Sequence, residues 1–376
     1  MRILIDLTYV NDQSSSGVTI YANRLLNGLK RYNKADRFLL LVTKKNKSHI
    51  EINHPKFKTI NLDVNYGFIE KYFPFFKGYT YKKTINKIIV DNNVSLFFSP
   101  YLNMNSLFTT VTKQVGVLHD AQSYVFTRQQ GLKGFIYRTF TDCLLKRMSN
   151  IVTISNYAKK SILKEIPQLD VPITVIYNSV DELKFELENR YEDNQPYILF
   201  VNTLMPYKNL ETLVRAFGIL KDKVKHNLIV KAKELPYWKN VIQSILDENG
   251  ITDRVILIQD NYSSEEIAKL YNNADLFVTT SRKEGFGYTP IEAAIYKTPV
   301  ISSKESALYE TTLGLLNYYE PVDDFIVLAE KIDYLLHNKP SSDELTKISE
   351  RFIETYSVTT QSKLFNELFE IQIQKI

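Results

Sequence analysis

The densest run of potential chemistry in the 376-residue chain is Glu284-Gly285-Phe286-Gly287-Tyr288-Thr289-Pro290-Ile291-Glu292. The strand-length run Leu276-Phe277-Val278-Thr279-Thr280 precedes it, and Ala293-Ala294 follow it. The pattern reads as a strand, a Gly-x-Gly loop and a helix with proline near its first turn. Glycines let the backbone approach a ligand closely. A helix N-terminus adds unpaired N–H groups and the positive end of a dipole, which suit a phosphate. Glu284 on the loop and Glu292 on the helix can both face a crevice beyond the strand ends, where open α/β sheets bind ligands. The same residues also fit an ordinary glycine-containing βα turn with Glu292 in solvent, and this segment alone does not decide.

Lysines and a histidine join these candidates. Lys208 reads as the start of the first helix in the second half. A cation is poorly placed at a helix N-terminus unless an anion is bound there. Lys231 and Lys233 lie at the next strand end. His119, one of five histidines, closes an apolar strand beside Asp120.

Positioning these groups takes alternating strands and helices. Strand-length apolar runs occur at 2–8, 37–43, 94–99, 114–119, 151–155 and 173–177, with helical patterns at 19–32, 68–90, 133–148 and 157–166. A polar stretch at 181–196 shows no clean periodicity and reads as an inter-domain crossing. Strands resume at 197–201, 227–230, 255–258, 276–280, 299–302 and 315–319, with helices at 210–221, 239–249, 264–273, 290–296 and 325–337. A last amphipathic stretch covers 359–373. Such alternation predicts parallel α/β structure. Domains are expected at 1–180 and 197–358, with the closing helix, about 359–376, packing back on the first.

Composition agrees. At ~150 residues per domain, this length with 44% hydrophobic residues favours two cores. The single cysteine, Cys143, excludes an intrachain disulfide and a cysteine-built zinc site. In its helical setting it reads as a small buried residue. Asp6 interrupts the first apolar run too early for a signal peptide, so a cytoplasmic protein is expected. No apolar stretch approaches the ~20 residues that cross a bilayer. Residues 1–178 hold 25 Lys and Arg against 11 Asp and Glu, a net +14, while the remainder holds 22 against 31, a net −9. The basic half is expected to meet something anionic.

Several chemistries lack their motifs. No Asp-x-Asp occurs, so the usual metal–diphosphate clamp is missing and no metal site is expected. No Gly-x-Gly-x-x-Gly follows the first strand, which disfavours a nicotinamide dehydrogenase. Neither a P-loop nor a Gly-x-Ser-x-Gly elbow is present, and zinc-type histidine spacings are absent.

Taken together, the motifs resemble glycosyltransferase family 4, a large retaining GT-B family. The Glu284-x7-Glu292 segment is similar to its donor-site signature. Ser16-Gly17-Val18 with Tyr21, Leu118-His119-Asp120, Ile154-Ser155-Asn156-Tyr157-Ala158-Lys159, Tyr177-Asn178-Ser179-Val180-Asp181, Val201 through Asn209, and Thr298-Pro299-Val300-Ile301-Ser302 resemble further family motifs in the same order. Asn202 and Ser179 stand where the family usually has glycine, and Tyr207 replaces a common arginine.

The resemblance implies two Rossmann-like domains with parallel sheets facing across a crevice. It also implies transfer of a hexose or deoxyhexose, with retention, from a nucleotide diphosphate sugar: GDP-mannose, dTDP-rhamnose or a UDP-hexose. Glu292 would hold the ribose, Glu284 the donor sugar, and backbone N–H groups near Gly285, Phe286, Gly287 and Thr289 the sugar and phosphate oxygens. Lys208, with Lys231 or Lys233, would neutralise the diphosphate. His119 would lie near the reacting centre, with Gly17 and Asp120 on the acceptor side. The acceptor would be a glycan, carried on a polyprenyl diphosphate in bacterial surface-polysaccharide synthesis; nucleic acid is not an expected partner. A nucleotide-sugar epimerase and a non-catalytic sugar-nucleotide or glycan-binding module are the alternatives. Segment 66–83 alternates aromatics with lysines and suggests peripheral contact with an anionic membrane on its inner face.

Overall fold

The computed structural model describes residues 1–10, 17–35, 37–47, 50, 54–62, 74–102, 111–121, 124–125, 130–181 and 195–374, without the side chains of 74–79. The sequence-read crossing at 181–196 and the aromatic and lysine segment at 66–83 therefore lie largely outside the described residues. The chain divides into two compact units, Met1–Ser179 with Val358–Ile376, and Val180–Ser357.

The first unit runs β1 (Arg2–Asp6), α1 (Gly17–Arg31), β2 (Arg37–Val42), β3 (Phe57–Asn61), α2 (Pro74–Asp91), β4 (Leu96–Ser99), β5 (Lys113–Val117), α3 (Gly131–Leu145), β6 (Asn150–Thr153), α4 (Asn156–Glu165) and β7 (Ile173–Val175). Its described strands form one sheet of order β3-β2-β1-β4-β5-β6-β7, parallel at every pairing. Central strands such as Ile3-Leu4-Ile5 and Leu96-Phe97-Phe98 are buried on both faces. That is why they read as unbroken apolar runs. The sequence reading missed β3, an edge strand in which only Phe57 is buried and which lacks such a run.

The chain's last helix, Val358–Gln374, belongs to this unit and lies on α1. Gly28 permits the close approach, since a Cβ there would stand 2.2 Å from Ser362 Oγ and 2.4 Å from the Val358 carbonyl. Phe365 and Phe369 close on Phe98, with ring centroids 5.2 and 5.0 Å away. Burying each such ring is worth roughly 1.5–3 kcal/mol. The Lys34 backbone N–H donates to Asn366 Oδ1 at 2.9 Å and fixes the helix in register.

The second unit runs β8 (Tyr197–Val201), a 3₁₀ turn (Pro206–Lys208), α5 (Leu210–Leu220), β9 (Asn227–Lys231), a π turn (Trp238–Ile242), α6 (Gln243–Asn249), β10 (Val255–Ile258), α7 (Ser264–Asn273), β11 (Leu276–Thr279), α8 (Tyr288–Ile295), β12 (Val300–Ser303), α9 (Leu308–Thr311), β13 (Asn317–Tyr319), α10 (Phe325–His337) and α11 (Ser342–Tyr356). Its described strands form a second parallel sheet, β10-β9-β8-β11-β12-β13. The sequence reading passed over α11, although Leu345, Ile348, Phe352 and Tyr356 recur along it at helical spacing. Its start is also marked: Ser341 Oγ accepts from the Glu344 N–H at 3.2 Å.

Cys143 is a correction. It is exposed on α3, not buried. The buried seam of that helix runs through Gly134, Thr141, Leu144 and Leu145, and position 143 falls off it.

Candidate functional site

In the second sheet the strand order reverses between β8 and β11. Loops leaving those two adjacent strands diverge, which makes their carboxyl ends the natural ligand crevice of such a sheet. Lys208 follows β8, and Glu284 follows β11. Their side chains meet: Lys208 Nζ donates to Glu284 Oε1 at 2.6 Å, with the two side chains only 11% and 13% exposed. Ser281 Oγ donates to the same oxygen at 2.9 Å, and the Glu284 N–H donates to Ser306 Oγ at 2.7 Å.

Local sequence explains how Lys208 gets there. Pro206 opens the 3₁₀ turn, and Asn209 ends it in the left-handed region at φ 58°. Asparagine tolerates that conformation better than most residues. Its side chain donates to the Val322 carbonyl at 3.0 Å and accepts from Thr212 Oγ1 at 2.8 Å. Lys208 therefore ends a short turn before α5 instead of opening that helix. The reason for its placement is the Glu284 carboxylate, not the helix dipole. The Tyr207 ring lies 5.2 Å from the ammonium, adding a cation–π contact where an arginine was expected.

Two residues that sequence reasoning missed tie the loops together. The Thr280 hydroxyl bonds the carbonyls of Lys208 and Asn209 at 3.0 and 2.8 Å. Arg282 spans further: Nη1 donates to the Pro206 carbonyl at 2.9 Å, Nη2 to Glu211 Oε1 at 2.7 Å, and Nε to Asp323 Oδ1 at 2.7 Å. Its backbone N–H also donates to the Tyr207 carbonyl at 2.8 Å. No local signal marks these partners, which are 41 to 76 residues away in sequence.

The remaining motif residues line the start of α8. Gly287 is its N-cap at φ 84°, a conformation that favours glycine, and no side chain caps the helix there. Thr289 is half-buried in the first turn. Phe286 is buried, its ring packed on Tyr288 and Tyr356 at 5.2 and 5.3 Å, so its side chain anchors the loop. Gly285 lies half-buried between Glu284 and Phe286. Glu292 is half-buried one turn into α8 and accepts from Tyr271 OH at 3.3 Å.

The other lysines differ. Lys231 Nζ donates to the carbonyls of Asp260 and Ile258, and sits 4.5 Å over the Tyr262 ring. Burial pulls its pKa down despite nearby Asp260 and Glu266. Lys233 is exposed.

His119 belongs to the first unit, two residues beyond β5. Its Nε2 donates to the Pro100 carbonyl at 3.0 Å, not to Asp120, and burial lowers its pKa. The neutral ring keeps Nδ1 as an acceptor. Tyr21 meets it edge-on at 4.7 Å, with Tyr101 at 6.0 Å and Tyr9 a further 5.3 Å on. Asp6, read from sequence only as a break in an apolar run, is fully buried beneath this cluster's strand ends. Its Oδ1 accepts from the Thr8 N–H and hydroxyl at 3.0 and 2.6 Å, and burial raises its pKa. Gly17 opens α1 exposed, with nothing within 4 Å of a Cβ added there.

Residues 181–352 match the model of the family described as glycosyl transferases group 1, and that segment belongs to it. The chain is 28% identical over 211 residues to the O-antigen chain mannosyltransferase RfbU of Salmonella typhimurium, covering 56% of this chain and 58% of the relative. It is also 28% identical over 236 residues to the capsular polysaccharide biosynthesis glycosyltransferase CapM of Staphylococcus aureus, covering 56% and 59%. These matches thus span somewhat more than half the length of the relatives. Among solved structures, the sucrose-phosphate synthase of Thermosynechococcus elongatus aligns at TM-score 0.75 with 18% identity, covering 99% of this chain and 98% of that one. Anabaena Alr3699/HepE in complex with UDP and glucose aligns at 0.69 with 16% identity, covering 99% and 100%. The fold is that of the GT-B glycosyltransferases, two Rossmann-like α/β units each built on a parallel sheet.

Proposed function

We propose that this chain is a retaining glycosyltransferase. It moves a hexose or deoxyhexose from a nucleotide diphosphate sugar to a glycan acceptor carried on a polyprenyl diphosphate, in bacterial surface-polysaccharide synthesis. The observation that carries the reading is the Lys208–Glu284 pair at the strand-order reversal of the group 1 domain. A donor's anomeric C–O bond joins its sugar to its diphosphate. An ammonium suited to phosphate and a carboxylate suited to sugar hydroxyls, 2.6 Å apart, fit the two sides of that bond. Because the relatives include mannosyltransferases, GDP-mannose is the first donor to try, followed by dTDP-rhamnose and UDP-hexoses.

In this scheme Glu292 takes the ribose hydroxyls. Backbone N–H groups of Gly285, Phe286, Gly287 and Thr289 take sugar and phosphate oxygens, and Lys233 supplies a second cation. The first unit takes the acceptor near Gly17, His119 and Asp120. The departing diphosphate helps to deprotonate the acceptor hydroxyl on the same face as the leaving group, which retains configuration. Donor is incubated with and without lipid-linked acceptor while nucleoside diphosphate release is followed. Release with a new glycosidic product supports transfer. An interconverted nucleotide sugar indicates an epimerase, and thermal stabilisation by donor without turnover indicates a binding module.

Glu292→Ala is expected to weaken donor binding by ~1.5–3 kcal/mol, the scale of charge-assisted hydrogen bonds, with turnover at saturation less affected. Calorimetric titration with donor checks this. An unchanged dissociation constant removes Glu292 from the ribose.

Activity is expected to survive EDTA. The Glu284 oxygen that a metal would seek is already taken by Lys208 and Ser281. Loss of activity on chelation, restored by magnesium or manganese, would instead place a metal at the diphosphate.

A further inference from the structure

We propose that the exposed face of α3 docks on an anionic lipid bilayer. This rests on the reading of a lipid-linked acceptor but names a surface that reading does not supply. Leu132, Phe135 and Ile136 are 75%, 59% and 58% exposed. With Thr139 and Cys143, also exposed, they follow i, i+3, i+4, i+7, i+11 spacing and form one stripe along the helix. Three large apolar side chains in open solvent on a single helix face are more than scattered surface residues, and contiguous apolar surface of this kind marks an interaction site.

Charge selects the occupant. Exposed Lys133 flanks the stripe, and exposed Lys146 and Arg147 continue it at the C-terminal end. The single acid of the helix, Asp142, is held on the protein side by the Tyr124 hydroxyl at 2.9 Å and Gln168 Nε2 at 3.1 Å. α4, which shares the core beneath α3, exposes Lys160, Leu163 and Lys164. An apolar stripe rimmed by cations is the pattern of a helix lying in a membrane interface. A second copy of this chain would bring the same cations face to face, which like-charge repulsion opposes. The position also suits delivery of an acceptor. Tyr137 on α3 lies near Tyr101, a member of the tyrosine cluster at the strand ends beside His119.

Vesicle sedimentation tests the proposal with the full chain. Vesicles of phosphatidylglycerol and phosphatidylethanolamine at low salt are expected to carry the protein down, and pure phosphatidylcholine vesicles are not. Leu132→Ser/Phe135→Ser/Ile136→Ser, all at exposed positions, should lower the partition coefficient about tenfold or more at an unchanged melting temperature. Lys133→Glu/Lys146→Glu/Arg147→Glu should abolish the salt dependence of what binding remains. A polarity-sensitive dye on Cys143, the only cysteine, should shift to the blue on the anionic vesicles. Nucleoside diphosphate release with a water-soluble acceptor is measured in parallel. Equal release by the wild type and the serine variant keeps the transferase reading separate from docking, and absence of release with intact vesicle binding sinks that reading alone. Docking through α3 is overturned if the wild type stays in the supernatant. It is equally overturned if the serine variant binds as the wild type does, or if light scattering shows a dimer that this variant dissolves.

Discussion

Lys208→Ala is expected to lower turnover by about 10²–10³-fold, the scale seen when one preformed group facing developing negative charge is removed. Bond breaking in the donor leaves charge on the diphosphate, and the structure holds a fixed cation at the carboxyl end of β8 where that charge would arise. The turn bearing it is tied to the β11 loop by Thr280 and Arg282, so the ammonium is positioned before any donor arrives. Stability should suffer as well. Glu284, whose side chain is 13% exposed in the intact pair, would keep Ser281 but lose its cation, a cost of roughly 1–3 kcal/mol. Lys208→Ala/Glu284→Ala separates the two effects. Deleting both partners removes the stranded carboxylate, so the melting temperature should recover part of its loss while turnover stays low. Single Glu284→Ala should also depress turnover, because that carboxylate is assigned to the reacting sugar. Recovery of activity together with stability in the double variant would show that the pair only holds the fold.

The candidate site was legible where its signal is local. Glu284, Gly287 and Glu292 announce themselves because a strand, a glycine N-cap and a helix turn place them within nine residues. The alternation of apolar runs likewise foretold both sheets, since a parallel strand covered on two faces has no choice but to be apolar throughout. What stayed hidden depends on contacts between distant residues. Nothing near Lys208 says that its partner is Glu284, 76 positions away, or that Arg282 clamps the turn from below. A lysine beside a helix start and an arginine in a loop are ordinary surface residues until the strand order brings β8 and β11 together. Asp6 is the inverse case. Its polarity was visible, but its burial follows from β1 lying inside the first sheet, between β2 and β4. β3 was missed because it buries too little for its period to emerge from the background, whereas α11 does carry a helical period, with Leu345, Ile348, Phe352 and Tyr356 on one face, that the reading passed over.

Gly287→Ala is expected to damage both the second unit and its chemistry, because two independent constraints meet at that residue. Its φ of 84° lies where a side chain costs of order 1–3 kcal/mol. A Cβ built there would also stand 2.5 Å from Leu308 Cδ2, and Leu308 is fully buried. Relief requires either Leu308 to repack inside a closed core or the loop to move. The loop carries Glu284 at one end and passes into α8 and Glu292 at the other, so movement displaces both carboxylates. At about 2–4 °C per kcal/mol for a unit of this size, the melting temperature should fall by several degrees. Turnover should drop further than the unfolded fraction explains, since misplacing a reacting group by even about 1 Å can cost roughly 10²-fold. Gly250→Ala is the matched control, because its φ of 60° is also left-handed, an added Cβ there meets only Lys221 Nζ at 3.9 Å, and it lies outside the assigned site. Leu308→Ala in the Gly287→Ala background identifies which constraint dominates. If the methyl clash does, the double variant is less damaged than the two single losses added together. Additive losses instead assign the cost to the left-handed backbone itself, and a Gly287→Ala protein with wild-type melting and turnover would show that the loop tolerates a side chain and does not fix the two carboxylates.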